Sequence, residues 1–468
     1  MRRLSSFDAN FLYLETPTAH MHVGSLAIFD PCTASGAWSA DRVRRVYGER
    51  IHLVPRFRQR LAEVPLQLDH PRWVDDPEFD LGWHIRHVAV PAPGGPAELA
   101  ALAGELMSIQ LDRSRPLWEV WVIGGVAGGR FALLSKAHHA ALDGITGTEI
   151  VSAMFDVTPD GSRPPPPERW VPERVPGDVS LLVRSAGSLA LQPFRSARAI
   201  QRGTHAVRAR RRVIQEVGRG TLADTLPVGA PKVSFSDSLT PERSVAFRSL
   251  SLDKVKAVKR ATGTTVNDVI LAICGSGLAR YLARRGEQPN GPLVAMVPMS
   301  VRGDAAAAGD ANKLMNMFVR LGTELGGPLE RLRSIADQTA SGKAQLRGGE
   351  GDPVRELGEL APATLTAHLF RFVAAHHLTE LVVPWFNLTV STLAAPPTPL
   401  FLGGAVMVAN YPMGPIYDGT GLNITAMSYL DQLDVGVLAC PQLSPDSAEI
   451  PLALDEALDE LVALTAAS

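Results

Sequence analysis

At 468 residues the chain is longer than one ordinary hydrophobic core supports, so two domains are expected. Its 46% apolar and 20% charged content is that of a folded globular protein, and a formal net charge of −2 gives no general attraction to nucleic acid. Only three cysteines occur, Cys32, Cys274 and Cys440, far apart in sequence, which argues against a disulfide scaffold or a thiolate metal cluster and fits a reducing cytoplasm.

In chain order, MRRLSSFDANFLYLE lacks the apolar run of a secretory signal, because Asp8 and Asn10 interrupt it. Met21 to Phe29 reads as a strand and a helix starts near Ala40. Trp73–Val74 and His84 to Val88 read as short strands, and Glu98 to Leu111 as a helix. The β-prone run Arg115 to Gly125 ends in glycines, and the GGR at 128–130 closes a hairpin into the strand that opens at Phe131. That strand passes through His138–His139, and a helical pattern follows the Asp143–Gly144 turn.

Thr158 to Pro176 is too proline-rich for regular structure and reads as a surface connection. Leu181 to Gly220 carries nine arginines and one acidic residue, Glu216. It reads either as a solvated helix face or as a contact with anionic headgroups or cofactor phosphates. A second domain starts near Ser244, giving the division 1–157, 158–243 and 244–468. Strands are expected at Ser244 to Leu252, Leu293 to Val301, Lys313 to Thr323, Asn387 to Ser391, Phe401 to Val408, Leu422 to Ser428 and Asp434 to Leu438. Helices are expected after Ser251, over Thr265 to Leu282, Pro328 to Leu346 and Val354 to Leu378, and over Ile450 to Ala467. Both halves are therefore α/β with mixed sheets. The uncharged stretch Leu381 to Tyr417 is long enough to cross a bilayer, but its six prolines prevent one continuous helix.

His138-His139-Ala140-Ala141-Leu142-Asp143-Gly144 fits HHxxxDG. Neighbours on extended backbone point to opposite sides, so one histidine can face a cavity while the other packs inside. A neutral imidazole is well suited to take a proton from an alcohol. Taken alone, the heptapeptide is equally a pair of core histidines with an aspartate that caps the next helix or pairs with a buried arginine. Metal ligation and an HxxxxD acyltransferase pair are further options, the former without other ligands in view. The second pair, His376–His377, has no Asp-Gly after it and reads as structural. No G-x-S-x-G elbow, Walker loop or dinucleotide fingerprint occurs.

HHAALDG, with PLWEVWVIGG from Pro116 and VNDVILA from Val266, resembles the bacterial wax ester synthase/diacylglycerol acyltransferase family. LSSFDANFLYLETPTAHMHVG, VPMSVR and LNITAMSY resemble further blocks of that family, in order along nearly the whole chain. The resemblance implies two chloramphenicol-acetyltransferase-like domains forming a pseudo-dimer with an interdomain tunnel, related also to peptide-synthetase condensation domains. It implies His139 as general base with His138, Asp143, Gly144, Arg302, Asn267 and Asp268 in support, Arg302 being the candidate partner of Asp143. Pro116, Leu117 and Trp118, with Ser391 and Thr392, would shape the substrate pocket. Leu117 and Trp118 are otherwise ordinary core residues, and Asn267 and Asp268 ordinary helix-start residues.

The implied reaction moves a long-chain acyl group from acyl-CoA to diacylglycerol, or to a long-chain alcohol, with no cofactor and no metal. The expected place is the cytoplasm, with peripheral contact at the inner membrane or lipid droplets, and no nucleic-acid partner. Ser391 to Pro396 reads STLAAP where the family often has SNVPGP, and Phe235 to Ser238 replaces a common Asn-Gly turn. The changed block motivates the alternative of a catalytically impaired paralogue that binds acyl lipids at membranes or droplets.

Overall fold

The computed structural model describes residues 1–36, 38–65, 68–142, 147–161, 164–165, 170–183, 229–301, 313–347 and 385–466. They gather into two compact units. The first holds the described residues up to 183 together with 395–410, and the second holds the described residues of 229–394 and 411–466. A boundary drawn straight along the sequence therefore does not follow the units. Residues near 400, expected in the C-terminal domain, complete the first sheet because their free edge pairs there.

In the first unit, α1 (Ser6–Leu14) follows the two-residue strand β1 (Arg2–Arg3), and β2 (His22–Asp30) leads to α2 (Ala40–Arg50). Short strands β3 (Gln59–Ala62) and β4 (Arg72–Asp75) pair with β1 in a small sheet of their own. Next come α3 (Leu81–His84), β5 (Ile85–Ala89), α4 (Pro96–Ser108), β6 (Trp118–Val126), β7 (Arg130–His138) and α5 (Gly147–Met154). Thus His84, expected to begin a strand, closes a helical turn capped by the Asp80 carboxylate. The β6–β7 hairpin turns on Gly128 and Gly129, whose φ of 75° and 73° suit glycine.

The run expected as one strand from Phe401 to Val408 is instead a hairpin, β12 (Phe401–Leu402) and β13 (Ala405–Met413). Gly403 and Gly404, at φ 55° and 88°, reverse the chain between them. The main sheet of this unit runs β12-β13-β2-β7-β6-β5, with β5 parallel to β6 and β7 antiparallel to both its neighbours. A buried ion pair closes the unit near α5: Arg50 donates to both Asp156 oxygens at 2.7 and 2.8 Å and to the Met154 carbonyl at 2.9 Å.

The second unit contains β8 (Ser244–Ser251), α6 (Leu252–Thr262), α7 (Val266–Arg284), β9 (Val294–Val301), β10 (Lys313–Arg320) and α8 (Pro328–Arg347). It continues with β11 (Leu388–Ala394), β14 (Leu422–Tyr429), β15 (Gln432–Ala439) and α9 (Glu449–Ala466). Its sheet runs β10-β9-β11-β14-β15-β8, and β11 is parallel to both its neighbours while the other pairs are antiparallel. Two α/β units with mixed sheets are thus present, as read from the sequence.

Alternation along β14 puts Ile424 and Ala426 into one core with Ile270, Leu271, Leu454 and Leu458. Asn423 and Thr425, on the opposite face, are buried without joining that core. Helix α7 is the one described helix long and apolar enough to cross a bilayer, and most of it is buried in this core. Its mid-helix Gly275 is needed there, because a Cβ would stand 2.3 Å from the Leu321 carbonyl oxygen. The expected helix Val354 to Leu378 with His376–His377, and most of the basic segment after Leu181, lie outside the described residues.

Replacing Asp156 by Ala would strand the Arg50 guanidinium in the interior. A stability loss of about 3–5 kcal/mol is expected from denaturant titration. The double variant Arg50→Met, Asp156→Leu should lose far less.

Candidate active site

The β2–β7 register sets His22 opposite His138, the last residue of β7. His139 begins the 3-10 turn His139–Leu142. Its amide donates to the Met21 carbonyl at 2.9 Å, and the His138 amide donates to Leu117 at 3.0 Å. The two rings accordingly part company: His138 is fully buried, whereas His139 is partly exposed. The His139 ring lies parallel to Phe11, centroids 3.7 Å apart and planes at 15°.

His138 Nδ1 accepts the Ala140 amide at 3.1 Å. A nitrogen that accepts carries no proton, so the network assigns the neutral ring's hydrogen to Nε2. That nitrogen is buried and faces Glu15 Oε2 at 3.7 Å, beyond hydrogen-bond range. The Glu15 carboxylate is held by Arg113 Nε at 2.5 Å and Gln110 Nε2 at 2.9 Å, while Arg113 also donates to the Leu12 carbonyl at 2.6 Å.

Burial, with Arg113 and His139 adding to it, lowers the His138 pKa well below the ordinary histidine value. Although His139 keeps some solvent exposure, its Nδ1 is buried, and this enclosure of the ring pushes it down to about 4, against a partial offset from its own main chain. Both rings are therefore neutral at pH 7, the state in which an imidazole accepts a proton. Burial raises the Glu15 carboxyl, and Arg113 and Gln110 counter it.

The same strand pair stabilises the end of α4. Lys136 Nζ donates to the Leu106 and Ile109 carbonyls at 3.1 and 2.6 Å, and His22 Nε2 bonds the Met107 carbonyl at 3.1 Å. These carbonyls at and just past the helix end would otherwise be buried without donors. Lys136 is also 3.5 Å from Glu119, which explains a lysine side chain with no exposure inside a sheet protein.

The remaining expected site residues fall into separate environments. Leu117 packs with Leu4, Leu12, Tyr13, Ala140 and Ala141. Trp118 stacks on Phe57 and His84 and donates its indole N–H to the Phe57 carbonyl at 2.9 Å, and Pro116 is buried beside it. In the second unit, Asp268 forms a capping box with Thr265 and accepts the Thr339 hydroxyl at 2.6 Å. Both its oxygens are thereby engaged, although it borders a groove of about 430 Å³ where Arg333 and Lys343 offset Asp268 and Asp337. Asn267 accepts the Thr392 hydroxyl at 3.1 Å, which joins two residues singled out from separate parts of the sequence. Ser391 is partly buried next to Thr392 on β11. Asp143, Gly144 and Arg302 lie outside the described residues. Among the described residues no group of His, Cys, Asp or Glu side chains is arranged to hold a metal ion.

Glu15, Gln110, Arg113 and Phe11 were not singled out from the sequence. Phe11 and Glu15 stand four apart, the spacing of neighbours on one helix face, ahead of β2. That spacing was the available signal, but nothing in it tells which strand end the helix covers.

Peptide-synthetase condensation domains define the fold class. The first condensation domain of the calcium-dependent antibiotic synthetase aligns over 100% of this chain and 97% of its own, at TM-score 0.56 and 17% identity. Residues 4–270 match the wax ester synthase/diacylglycerol acyltransferase catalytic domain, and residues 311–462 match the C-terminal domain of the same family. The wax ester synthase/diacylglycerol acyltransferase from Marinobacter aquaeolei VT8 superposes at TM-score 0.69 with 28% identity, over 99% of this chain and 100% of that one. A Mycobacterium tuberculosis relative with the provisional name diacylglycerol O-acyltransferase is 35% identical over 466 residues, 99% of this chain and 90% of its own length. A second from that organism, similarly named, is 34% identical over 469 residues. The chain belongs to the wax ester synthase/diacylglycerol acyltransferase family and is an acyltransferase.

Because His22 and His138 are held neutral by the fold, the unfolded chain takes up protons first as pH drops below about 6.5. Stability should fall by about 1.4 kcal/mol per pH unit for each such histidine, until the folded-state pKa is reached. Urea titrations at pH 7.5, 6.0 and 5.0 should show this slope, and His138→Asn should flatten it by that amount.

Proposed function

We propose that the protein moves a long-chain fatty acyl group from coenzyme A thioester to the hydroxyl of diacylglycerol, with long-chain alcohols as second-choice acceptors. Family membership supports the substrate class. The observation that carries the mechanism is the contrast at the end of β7, where one neutral imidazole is sealed inside and its neighbour is partly exposed. His139 takes the acceptor's hydroxyl proton as the oxygen attacks the thioester carbonyl. The tetrahedral intermediate then collapses, the C–S bond breaks, and the proton leaves with the coenzyme A thiol. No covalent enzyme intermediate, cofactor or metal takes part in this scheme. N–H donors aimed at the developing oxyanion are required of the surrounding main chain.

Both substrates are amphipathic and gather at lipid surfaces, so we place the enzyme in the cytoplasm with peripheral contact at the inner membrane or at lipid droplets. The Thr392–Asn267 hydrogen bond ties the altered STLAAP block to the start of α7.

Coenzyme A release from palmitoyl-CoA, with diacylglycerol or hexadecanol, tests the reading. His139→Ala should lower kcat by roughly 10²–10⁴-fold. Equal turnover by wild type and variant would remove His139 as the base, and no turnover by the wild type with any alcohol would favour a lipid-binding paralogue.

The pH profile gives a second check. A base pushed down to about 4 is neutral throughout the neutral range, so kcat/KM should stay level from about pH 8 to 5 and fall as pH drops through about 4. Brief pH jumps from neutral stock keep unfolding out of the measurement. An acid limb centred near 6.5 would mean that burial does not control this histidine.

A further inference from the structure

We propose that α1 is the positioning element of the histidine turn, with Glu15 as a positioning residue for His138 and, through it, for His139; this rests on the reading of His139 as the base. Three contacts converge. Ala9, Leu12 and Tyr13 of α1 share a buried cluster with Ala140 and Ala141, so the helix packs directly on the 3-10 turn. Phe11 stacks on the His139 ring. One helical turn later, Glu15 presents its carboxylate to the Nε2 side of His138.

The carboxylate is fixed before His138 is considered. Arg113 and Gln110, from the segment following α4, hold its two oxygens, and its side chain is 1% exposed. A buried, oriented carboxylate favours the His138 tautomer that turns an N–H toward it and disfavours the one that turns a lone pair. At 3.7 Å the interaction is charge to dipole rather than a hydrogen bond. The selected tautomer leaves Nδ1 as an acceptor for the Ala140 amide, which anchors the backbone immediately after His139. The His139 amide is anchored on its other side by Met21. With both flanks fixed and Phe11 against its face, the His139 ring has little freedom to turn. Burial, with the charge of Arg113 adding to it, keeps His138 neutral beside the carboxylate rather than an imidazolium.

A structural partner for Arg113 and a positioning residue for His138 predict different behaviour in a double variant. Glu15→Leu leaves the partly exposed Arg113 without its carboxylate partner, whereas Glu15→Leu with Arg113→Leu removes both charges, a change that folded proteins often tolerate. Positioning predicts that the double variant unfolds at a temperature close to wild type yet keeps a kcat lower by roughly 10–100-fold, with the KM for palmitoyl-CoA unchanged. Glu15→Gln, which retains an oxygen facing Nε2, should recover most of the rate. In wild type, nitrogen-15 spectra of the histidine rings should show His138 protonated on Nε2, and the double variant should show mixed tautomers. Phe11→Leu removes the stacking contact without touching a charge and should lower kcat alone.

Wild-type kcat in the double variant, or an unchanged His138 tautomer in it, would overturn the proposal. The ring spectra do not depend on which histidine is the base. If His139→Ala stays active while the double variant loses the Nε2–H tautomer, the base assignment fails and the positioning of the turn stands.

Discussion

The antiparallel register between β2 and β7 is the constraint on which the candidate site depends. It carries His22, Lys136 and His138 into the interior, where each polar atom has to be satisfied or kept neutral. Two of these side chains find acceptors in carbonyls at the end of α4. The third is kept neutral beside an already paired carboxylate. A one-residue slip of β7 would turn His138 toward the other face of the sheet, expose Lys136's binding partners to hydrocarbon, and move His139 out of the turn.

Seen this way, the histidine pair is the end of a buried polar network rather than an isolated motif. Arg113 joins the Glu15 carboxylate to the Leu12 carbonyl of α1, and Gln110 joins it to the segment following α4. Chemistry asks for a base whose position is fixed and whose charge is off at neutral pH. Burial supplies the second property, and the packing of α1 on the turn supplies the first. The desolvation that keeps His139 neutral also makes it a weaker base than a free imidazole, so in the proposed mechanism geometry has to supply much of the rate.

The second unit follows a different economy. Asp268, expected in support of the site, has both oxygens engaged, in the start of α7 and in the Thr339 hydroxyl. Asn267, one residue earlier, reaches instead to Thr392 on β11. Two adjacent polar residues thus serve different ends because a helix turns successive side chains by about 100°. Close approach of the Leu321 carbonyl requires Gly275 in the middle of this long apolar helix, where a glycine would ordinarily be a cost.

By itself the sequence determined the local elements: strand and helix periods, the Gly-Gly reversal after β6, the helix start around Asn267 and Asp268, and the histidine pair at a strand end. These depend on near neighbours, which the chain order displays. It also carried enough family-like blocks, in order, to identify the acyltransferase family. Only tertiary structure decided that residues 401–413 form a hairpin edge of the first sheet, since strand pairing is settled by which edge is free. It likewise decided that Leu117 and Trp118 are enclosed in packed side chains. Glu15 and Arg113 lie 98 residues apart, and their meeting beside His138 follows from where α1 and the segment after α4 are packed. A carboxylate's role is set by what surrounds it, and that surrounding exists only once the chain has folded.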